Sequence, residues 1–477
     1  MQTDSQRKLS TLEKALEINL DSSRYGTFAE IGAGQEVVRW FFQAGGAAGT
    51  ISKSISAYDM QVSDAIYGSG ERYVSRQRLE SMLDYEQALT RERLRNSRGG
   101  EACFFTFADT VAARNYRGTN ECHGWMGLRF QATPNAPDNT VIIHVRMLDD
   151  NNAAQQNAIG IAGVNLIHGA FYLHREPAAM IAALLENLSA ERVEIDMIYV
   201  AGPAFAGVDN RVLTLRLVQL GLTGAAMFAA DGSVLQPSEA LRKRPLLVQR
   251  GRFRPVTHVN IDILQASLRK FAEVNDVPIA DVLPILEISM QNLKEDSDVC
   301  LQDFVSRAEV AAATGCTVMI SDFLQYHRLA ACLARYTQAP IGLSLGLTTL
   351  RSLFDETYYE DLDGGILEGL GRLVREQLRL FIYPCKNKDN AVIEHLGSIR
   401  LDNSLQHLFN FMVERGVLVP LLDVAYQHLD IQSPAVLRMI AGGDDAWTEC
   451  VPAAVAEKIV AGGLFGYSKE MYLQKQG

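Results

Sequence analysis

One stretch of the chain combines residue types that bind phosphate with a setting that suits such binding. Residues 250–260 read Arg-Gly-Arg-Phe-Arg-Pro-Val-Thr-His-Val-Asn, after an apolar run at 245–249 and before a helical pattern that starts at residue 261. A turn from a strand into a helix presents backbone N–H groups at the positive end of the helix dipole. The pattern therefore predicts a phosphate site, whose candidate ligand-binding residues are Gly251, Arg252, Phe253, Thr257, His258 and Asn260.

In this setting the run resembles the signature Gly-Arg-Phe-x-Pro-x-His-x-Gly-His of the nicotinamide and nicotinate mononucleotide adenylyltransferases, whose two histidines hold the triphosphate as pyrophosphate leaves. Four positions match the signature: Gly251, Arg252, Phe253 and Pro255. Thr257 and Asn260 stand where the family has its histidines, Val259 replaces the glycine, and His258 is one position out of register. No cofactor is firmly implied, and a nucleotide with Mg²⁺ is the ligand that the resemblance suggests.

Adenylyl transfer requires the site to neutralise charge that builds on the bridging oxygen. Neutral hydroxyl and amide donors do this less well than an imidazolium. We therefore expect a vestigial or altered site for a nucleotide or phosphometabolite on a nucleotidyltransferase-like scaffold, and we assign no catalytic residue. Two alternatives stay open at this point: a non-catalytic protein whose role is self-assembly, and an active pyridine-mononucleotide adenylyltransferase.

A second resemblance spans nearly the whole chain. It rests on four runs, at residues 25–37, 56–60, 122–130 and 364–371. These runs are similar to those of a full-length family of uncharacterised bacterial proteins from cyanobacteria and proteobacteria. Its members are often labelled automatically as nicotinate-nucleotide adenylyltransferases or TonB-dependent receptors. The receptor label disagrees with the sequence, which lacks the series of ~10-residue alternating strands of an outer-membrane barrel.

Other candidate sites are weaker. Gly32-Ala33-Gly34 opens a helical pattern, but a lone Gly-x-Gly without a preceding strand is weak evidence for a phosphate turn, and the flanking Glu30 and Glu36 disfavour an anion. The neighbours Cys122 and His123 are expected to be a structural pair, because adjacent residues of an extended chain face opposite ways. No histidine or cysteine spacing predicts a metal site.

The elements that position these residues predict an α/β fold. Seven short runs are apolar on both faces and alternate with helical patterns: 193–200, 225–230, 245–249, 282–289, 317–321, 341–345 and 378–383. This alternation indicates a mostly parallel sheet with helices on both faces, either doubly wound or barrel-like. We expect an N-terminal α+β region (1–185) with a small antiparallel sheet, the parallel α/β domain (190–385), and a mostly helical C-terminal region (386–477).

Composition limits the partners. The 477 residues carry a formal charge of −11, which disfavours nucleic acid and anionic membrane surfaces. No segment has the ~20 consecutive apolar residues of a membrane-spanning helix. The charged N-terminus lacks a secretory pattern, and seven scattered cysteines fit reduced thiols, so we expect a cytoplasmic protein. Closed homo-oligomers are the common form of such chains, and we expect at least a dimer.

Overall fold

A computed structural model describes residues 8–290, 301–374, 377–387 and 391–469. The first of its two units, Met1–Gly224, contains a six-stranded sheet. Its strands are β1 (Arg24–Gly32), β2 (Ile51–Ile55), β3 (Cys103–Ala112), β4 (His123–Gln131), β5 (Asp138–Met147) and β6 (Val193–Ala201). The order is β2-β1-β3-β4-β5-β6, in which β1 is parallel to both β2 and β3 and the remaining pairs are antiparallel.

Helices cover both faces of this sheet. They are α1 (Thr11–Leu20), α2 (Val37–Ala44), α3 (Met60–Tyr67), α4 (Arg76–Arg98), α5 (Asn152–Tyr172), α6 (Pro177–Ala183) and α7 (Asn210–Gln219). On one face, α1, α2 and α5 share a core with Phe28, Phe105 and Met126. On the other face, α4 packs on β3 and β4. Ser75 fixes the start of α4, because its hydroxyl accepts a hydrogen bond from the Arg78 N–H at 3.2 Å.

The second unit, Ala225–Gly477, contains an eight-stranded sheet and a two-stranded ribbon. The sheet strands are β7 (Ala225–Phe228), β8 (Val234–Leu235), β9 (Leu246–Arg250), β10 (Leu283–Ser289), β11 (Thr317–Ser321), β12 (Ile341–Gly346), β13 (Leu378–Tyr383) and β16 (Leu418–Pro420). The ribbon pairs β14 (Cys385–Lys386) with β15 (Ile393–Glu394). The sheet order is β16-β13-β12-β9-β10-β11-β7-β8, so the sheet is open, with β16 and β8 at its edges.

Six neighbouring strands of this sheet, β16 through β11, are mutually parallel. The helices are α8 (Pro237–Leu241), α9 (His258–Asn275), α10 (Leu301–Ala312), α11 (Tyr326–Tyr336), α12 (Leu347–Leu353), α13 (Gly365–Leu373), α14 (Asn403–Glu414), α15 (Ser433–Gly442) and α16 (Ala453–Gly462). On one face α11, α12 and α13 share a core with β9, β12 and β13. Phe271 of α9 packs on Phe381 on the other face. The predicted α/β fold is confirmed, and of its two forms the open, doubly wound sheet is observed.

Two of the predicted runs form strands, but neither is a parallel strand of the second sheet. The run at 193–200 forms β6, an edge strand of the first sheet antiparallel to β5, and 225–230 contains β7, which is antiparallel to β11. The reason is that an apolar run indicates burial on both faces but carries no information about direction or partner. The chain consequently divides after residue 224 into two units, where the sequence suggested three regions. Residues 386–477 also add β16 to the main sheet, besides their helices.

The small antiparallel sheet expected in the N-terminal region is also larger than predicted, since β1 and β2 extend it with parallel pairs. Within the described ranges, no helix combines the length and apolar character needed to cross a bilayer.

Candidate functional site

The motif strand β9 lies at the topological switch point of the second sheet. From β9 the chain moves outward through β10 and β11, and then returns to the other side of β9 with β12, β13 and β16. The parallel strands therefore have the chain order 3-2-1-4-5-6. Open α/β sheets bind ligands at the carboxyl ends of the strands where the order reverses. The loop 251–257 leaves β9 at this end of the sheet.

The loop begins with two residues that support its shape. Phe253 is 1% exposed and adopts φ +42°, in the left-handed region. Its ring lies against Gly251, where a Cβ would approach the ring to 2.8 Å. Glycine at 251 therefore allows Phe253 to fold under the loop. Both residues shape the backbone, and the buried Phe253 ring is not offered at the surface.

The two residues at the histidine positions of the signature bond each other. The Oδ1 atom of Asn260 accepts hydrogen bonds from the Thr257 N–H at 2.9 Å and from the Thr257 hydroxyl at 3.0 Å. Thr257 is fully buried at the N-cap of α9. This arrangement is a variant of the capping box, which satisfies polar groups at a helix start. In this conformation Thr257 and Asn260 cap the start of α9.

His258, one residue along, stacks on His428, with ring centroids 5.3 Å apart and planes 22° apart. Burial and the neighbouring His428 lower the pKa of His258. The same C-terminal segment touches the loop again where the Ser433 hydroxyl donates to the Pro255 carbonyl at 3.2 Å. Residues from 386–477 therefore help to build this site, which the sequence did not indicate.

Arg250, the first residue of the motif, has a structural role. Its guanidinium forms two contacts with the buried Glu287 carboxylate of β10, at 2.5 and 3.1 Å. It also donates to the carbonyls of Phe323 and Leu324, each at 2.8 Å. Its guanidinium lies over the Tyr326 ring at 4.5 Å. Arg250 is thus committed to holding β9, β10 and the segment after β11 together.

Three other arginines give the loop a positive environment. Arg252 is exposed, and Arg254 lies 3.5 Å from the Asp303 carboxylate of α10. Arg307 pairs with the same carboxylate at 2.6 Å. Burial lowers the pKa of Arg307, Asp303 opposes this shift, and the charges of Arg254 and Arg252 lower the pKa further. Three guanidinium groups therefore act on one another beside the loop, and only Arg252 among them belonged to the predicted set.

Directly beneath the loop, two polar side chains face each other in the sheet register. Gln249 of β9 pairs with Ser344 of β12, and each is 2% exposed. The Gln249 Oε1 and Ser344 Oγ atoms have no hydrogen-bond partner within the described part of the chain. Buried polar atoms in proteins are nearly always paired with protein or water. The switch point therefore contains two buried polar atoms that form no hydrogen bond with the described side chains.

The basic run 242–244 lies before the amino end of β9, so the structure places it at the opposite end of this strand from the loop. The strand β9 therefore separates this run from the loop 251–257.

The first unit has a similar switch point, which the sequence did not reveal. Gly32 to Gly34 follow β1 and lead to α2, and β1 lies between β2 and β3. The Glu30 carboxylate accepts hydrogen bonds from the N–H groups of Val37 at 2.9 Å and Val38 at 3.4 Å. Because the Glu30 side chain already accepts from the N–H groups of this helix start, the turn is not a phosphate cradle. A strand does precede the turn, contrary to expectation.

The fold and the loop thus define an α/β protein with a doubly wound, mostly parallel sheet and an arginine-rich switch-point loop. No protein-family model matches the chain, and no curated relative matches it. The solved structure of Plasmodium falciparum nicotinic acid mononucleotide adenylyltransferase complexed with APC has 11% identity and a TM-score of 0.29, covering 47% of this chain and 98% of its own. Competence/damage inducible protein CihA from Agrobacterium tumefaciens has 16% identity and a TM-score of 0.24, covering 34% and 97%.

The competence damage-inducible protein A of Klebsiella pneumoniae is similar at the same level, with 13% identity and a TM-score of 0.25 over 34% of this chain and 94% of its own. Similarities of this size assign neither a family nor an activity to the chain.

Proposed function

We propose that the carboxyl end of β9 binds a phosphate-bearing ligand, a nucleotide or phosphometabolite, and that the protein does not transfer an adenylyl group. The observation that carries this proposal is the loop 251–257, which lies at the switch point while Thr257 and Asn260 are locked to each other. A nucleotide would arrive with Mg²⁺, which phosphate oxygens bind readily. The resemblance to the full-length bacterial family is consistent with this proposal but names no ligand.

Binding and turnover make different demands on this site. Arg252 is exposed at the loop, and the 18-residue helix α9 begins at its end, so a phosphate would meet both a guanidinium and backbone N–H groups. Gln249 and Ser344 add buried polar atoms below. Adenylyl transfer also needs a cation on the bridging oxygen, and Thr257 and Asn260 supply none. His258 cannot take either place, because one residue along a helix start rotates a side chain by ~100°.

Arg252→Ala is expected to weaken ATP binding by about tenfold or more, since a charge-assisted hydrogen bond contributes ~1.5–3 kcal/mol. ATP with Mg²⁺ would be titrated at two salt concentrations, using hydrogen exchange of the β9 and α9 amides as the readout, because binding to the folded state slows their opening. Added salt should weaken binding to the wild type.

Arg242→Ala is the matched control, because Arg242 is an exposed arginine before the amino end of the same strand. It should bind ATP like the wild type. Equal binding by the Arg252→Ala and wild-type proteins would contradict the assignment of Arg252 as a ligand contact.

Self-assembly is the second candidate function. The observation in its favour is an apolar stripe on α1, where Leu12, Leu16 and Leu20 are 43%, 36% and 71% exposed; Phe42 of α2 is 56% exposed. Phe41, the neighbour of Phe42 in α2, is fully buried in the core. We expect light scattering at micromolar concentration to give at least a dimer mass. A monomer mass would remove this candidate.

The cytoplasmic location stays a prediction.

A further inference from the structure

Three ionisable side chains of the first unit form a hydrogen-bonded chain across its sheet. The Asp196 Oδ1 atom lies 2.6 Å from Nδ1 of His144, and Nε2 of His144 lies 3.0 Å from Nδ1 of His123. Asp196 and His144 are fully buried, whereas His123 is half-buried at the first residue of β4. The chain therefore leads from the buried interior of the sheet to its edge.

An irregularity in the sheet places Asp196 in this chain. His144 of β5 pairs with Met197 of β6, whereas the next residue, Val145, pairs with Ile195, so Asp196 is an extra residue between the two pairs. Such a β-bulge redirects a side chain and is common beside functional sites. Without it the alternation of a regular strand would place residues 195 and 197 on one face and 196 on the other.

The hydrogen bonds fix where a proton enters. As a carboxylate, Asp196 accepts from the Nδ1–H of His144, so Nε2 of His144 must accept from the Nδ1–H of His123. The lone pair on Nε2 of His123 then ends the chain. When a proton binds to this Nε2, the proton on Nδ1 of His123 moves to Nε2 of His144. The net change is one proton taken up, with the imidazolium at His144 beside the Asp196 carboxylate.

The charges that face His123 come from each neighbouring element. They are Arg72, in the segment before α4, His144 and Arg146 of β5, and Asp196 of β6. Arg146 is paired with Glu194 at 3.3 Å, whereas Arg72 is exposed. Burial, His144 and Arg72 lower the pKa of His123 to about 4, so His123 is neutral at pH 7 when no anion is present. An anion close to Arg72 would reverse this balance and favour the protonated imidazole.

A cavity of about 590 Å³ lies near the end of β4 that carries His123. Ala112 and Thr110 line this cavity and lie directly across the β3–β4 ladder from His123 and Trp125. Tyr73, next to Arg72, lines it as well. Directly opposed residues of an antiparallel pair have Cβ atoms about 4.5–5.5 Å apart, so His123 lies next to Ala112, which lines the cavity.

We propose that Asp196, His144 and His123 form a proton relay that binds an oxyanion, a carboxylate or a phosphate-like group, between His123 and Arg72 with uptake of one proton. The Nε2–H of His123 donates to the anion, and the Arg72 guanidinium supplies the cation on the other side of it. The cavity behind His123 would hold the rest of the ligand. This site lies in the first unit and does not depend on the proposal for β9.

The test uses the full chain at pH 7 with sulfate as a tetrahedral oxyanion and, in a separate arm, acetate as a carboxylate, because neither titrates near this pH. Calorimetric titrations in two buffers of different ionisation enthalpy give the number of protons taken up. We expect one of the two anions to bind with an uptake approaching one proton, and the stronger arm identifies the class of ligand. Failure of both anions to bind, or binding without proton uptake, would overturn the proposal.

Substitutions distinguish a proton relay from a hydrogen-bond network that only stabilises the fold. His123→Gln should abolish proton uptake and weaken binding at least about tenfold. His174→Gln is the control in the same unit, since Nδ1 of His174 bonds the Ala170 carbonyl at 3.0 Å and takes no part in the relay. It should leave affinity and uptake unchanged. Asp196→Asn should lose proton uptake while hydrogen exchange of β5 and β6 reports whether the sheet stays folded. Unchanged uptake in His123→Gln would contradict the relay.

Discussion

Replacing Glu287 by alanine is expected to destabilise the second unit by ~3–5 kcal/mol, which is the cost of leaving a buried charge without its partner. Arg250 would keep the carbonyls of Phe323 and Leu324 but lose the carboxylate that balances its charge. Glu287 is fully buried, and it also accepts from the Ser321 hydroxyl. The measurement is urea unfolding read by hydrogen exchange of the β9 and β10 amides, which reports this unit independently of the other.

The exposed pair of Arg269 and Asp423 is the control for this prediction. These side chains are 3.2 Å apart but 49% and 94% exposed. Asp423→Ala should change stability by less than ~1 kcal/mol. If Glu287→Ala cost no more than Asp423→Ala, the structural role assigned to Arg250 would be wrong.

The second large effect is a pH dependence of the free energy of unfolding, which we expect from two buried carboxyl groups of the first unit. Asp109 of β3 is fully buried next to Glu30 of β1, beneath the turn at Gly34, where a Cβ would overlap the Asp109 carboxyl. Burial and the Glu30 carboxyl raise the pKa of Asp109 well above 3.8. Burial, opposed by the hydrogen bonds from Val37 and Val38, raises the pKa of Glu30 to about 8.

The pKa values of Asp109 and Glu30 are both higher in the folded than in the unfolded chain. At a pH between the unfolded and the folded pKa of these groups, the folded state therefore binds more protons than the unfolded state. The free energy of unfolding should therefore fall as the pH rises from about 5 to 8, by ~1.4 kcal/mol for each unit of pKa shift that is crossed. Asp109→Asn cannot ionise. It should match the wild type at pH 5 and be more stable at pH 8, as measured by urea unfolding with hydrogen exchange of β1 and β3.

Asp209 provides a control of opposite sign. The Arg211 side chain, which pairs with it at 2.6 Å, lowers the pKa of Asp209. Its stabilising contribution is present above the unfolded pKa, so Asp209→Asn should lose stability at pH 8. An Asp109→Asn protein that is less stable than the wild type at pH 8 would contradict the account of the carboxyl pair.

The sequence predicted the second sheet better than the first for a physical reason. The strands β9 to β13 are short and apolar because helices cover both of their faces, and this pattern is visible in any one of them. In β1, by contrast, Gly26, Thr27 and Glu30 interrupt the apolar pattern although Thr27 and Glu30 are buried. Their burial is stabilised by partners on other elements, such as the Thr90 hydroxyl 3.0 Å from that of Thr27. Partners on other elements cannot be identified from the residues of β1 alone.

The candidate site shows the same division. The strand, turn and helix around residues 251–260 follow from the local pattern, and so does the replacement of the signature histidines. The contacts of His258 with His428 and of Arg254 with Asp303 join segments that are far apart in sequence. The relay depends on the bulge at Asp196, which is a property of strand pairing and leaves no mark in the residue pattern.

Incubation of the purified chain with ATP, Mg²⁺ and nicotinate or nicotinamide mononucleotide, with product analysis on the same samples that show nucleotide binding, tests the central claim most directly. We predict salt-sensitive binding that weakens in Arg252→Ala, with no dinucleotide and no pyrophosphate formed, because Thr257 and Asn260 are bonded to each other where a cation is required. Robust dinucleotide synthesis that is abolished in His258→Ala would contradict the account.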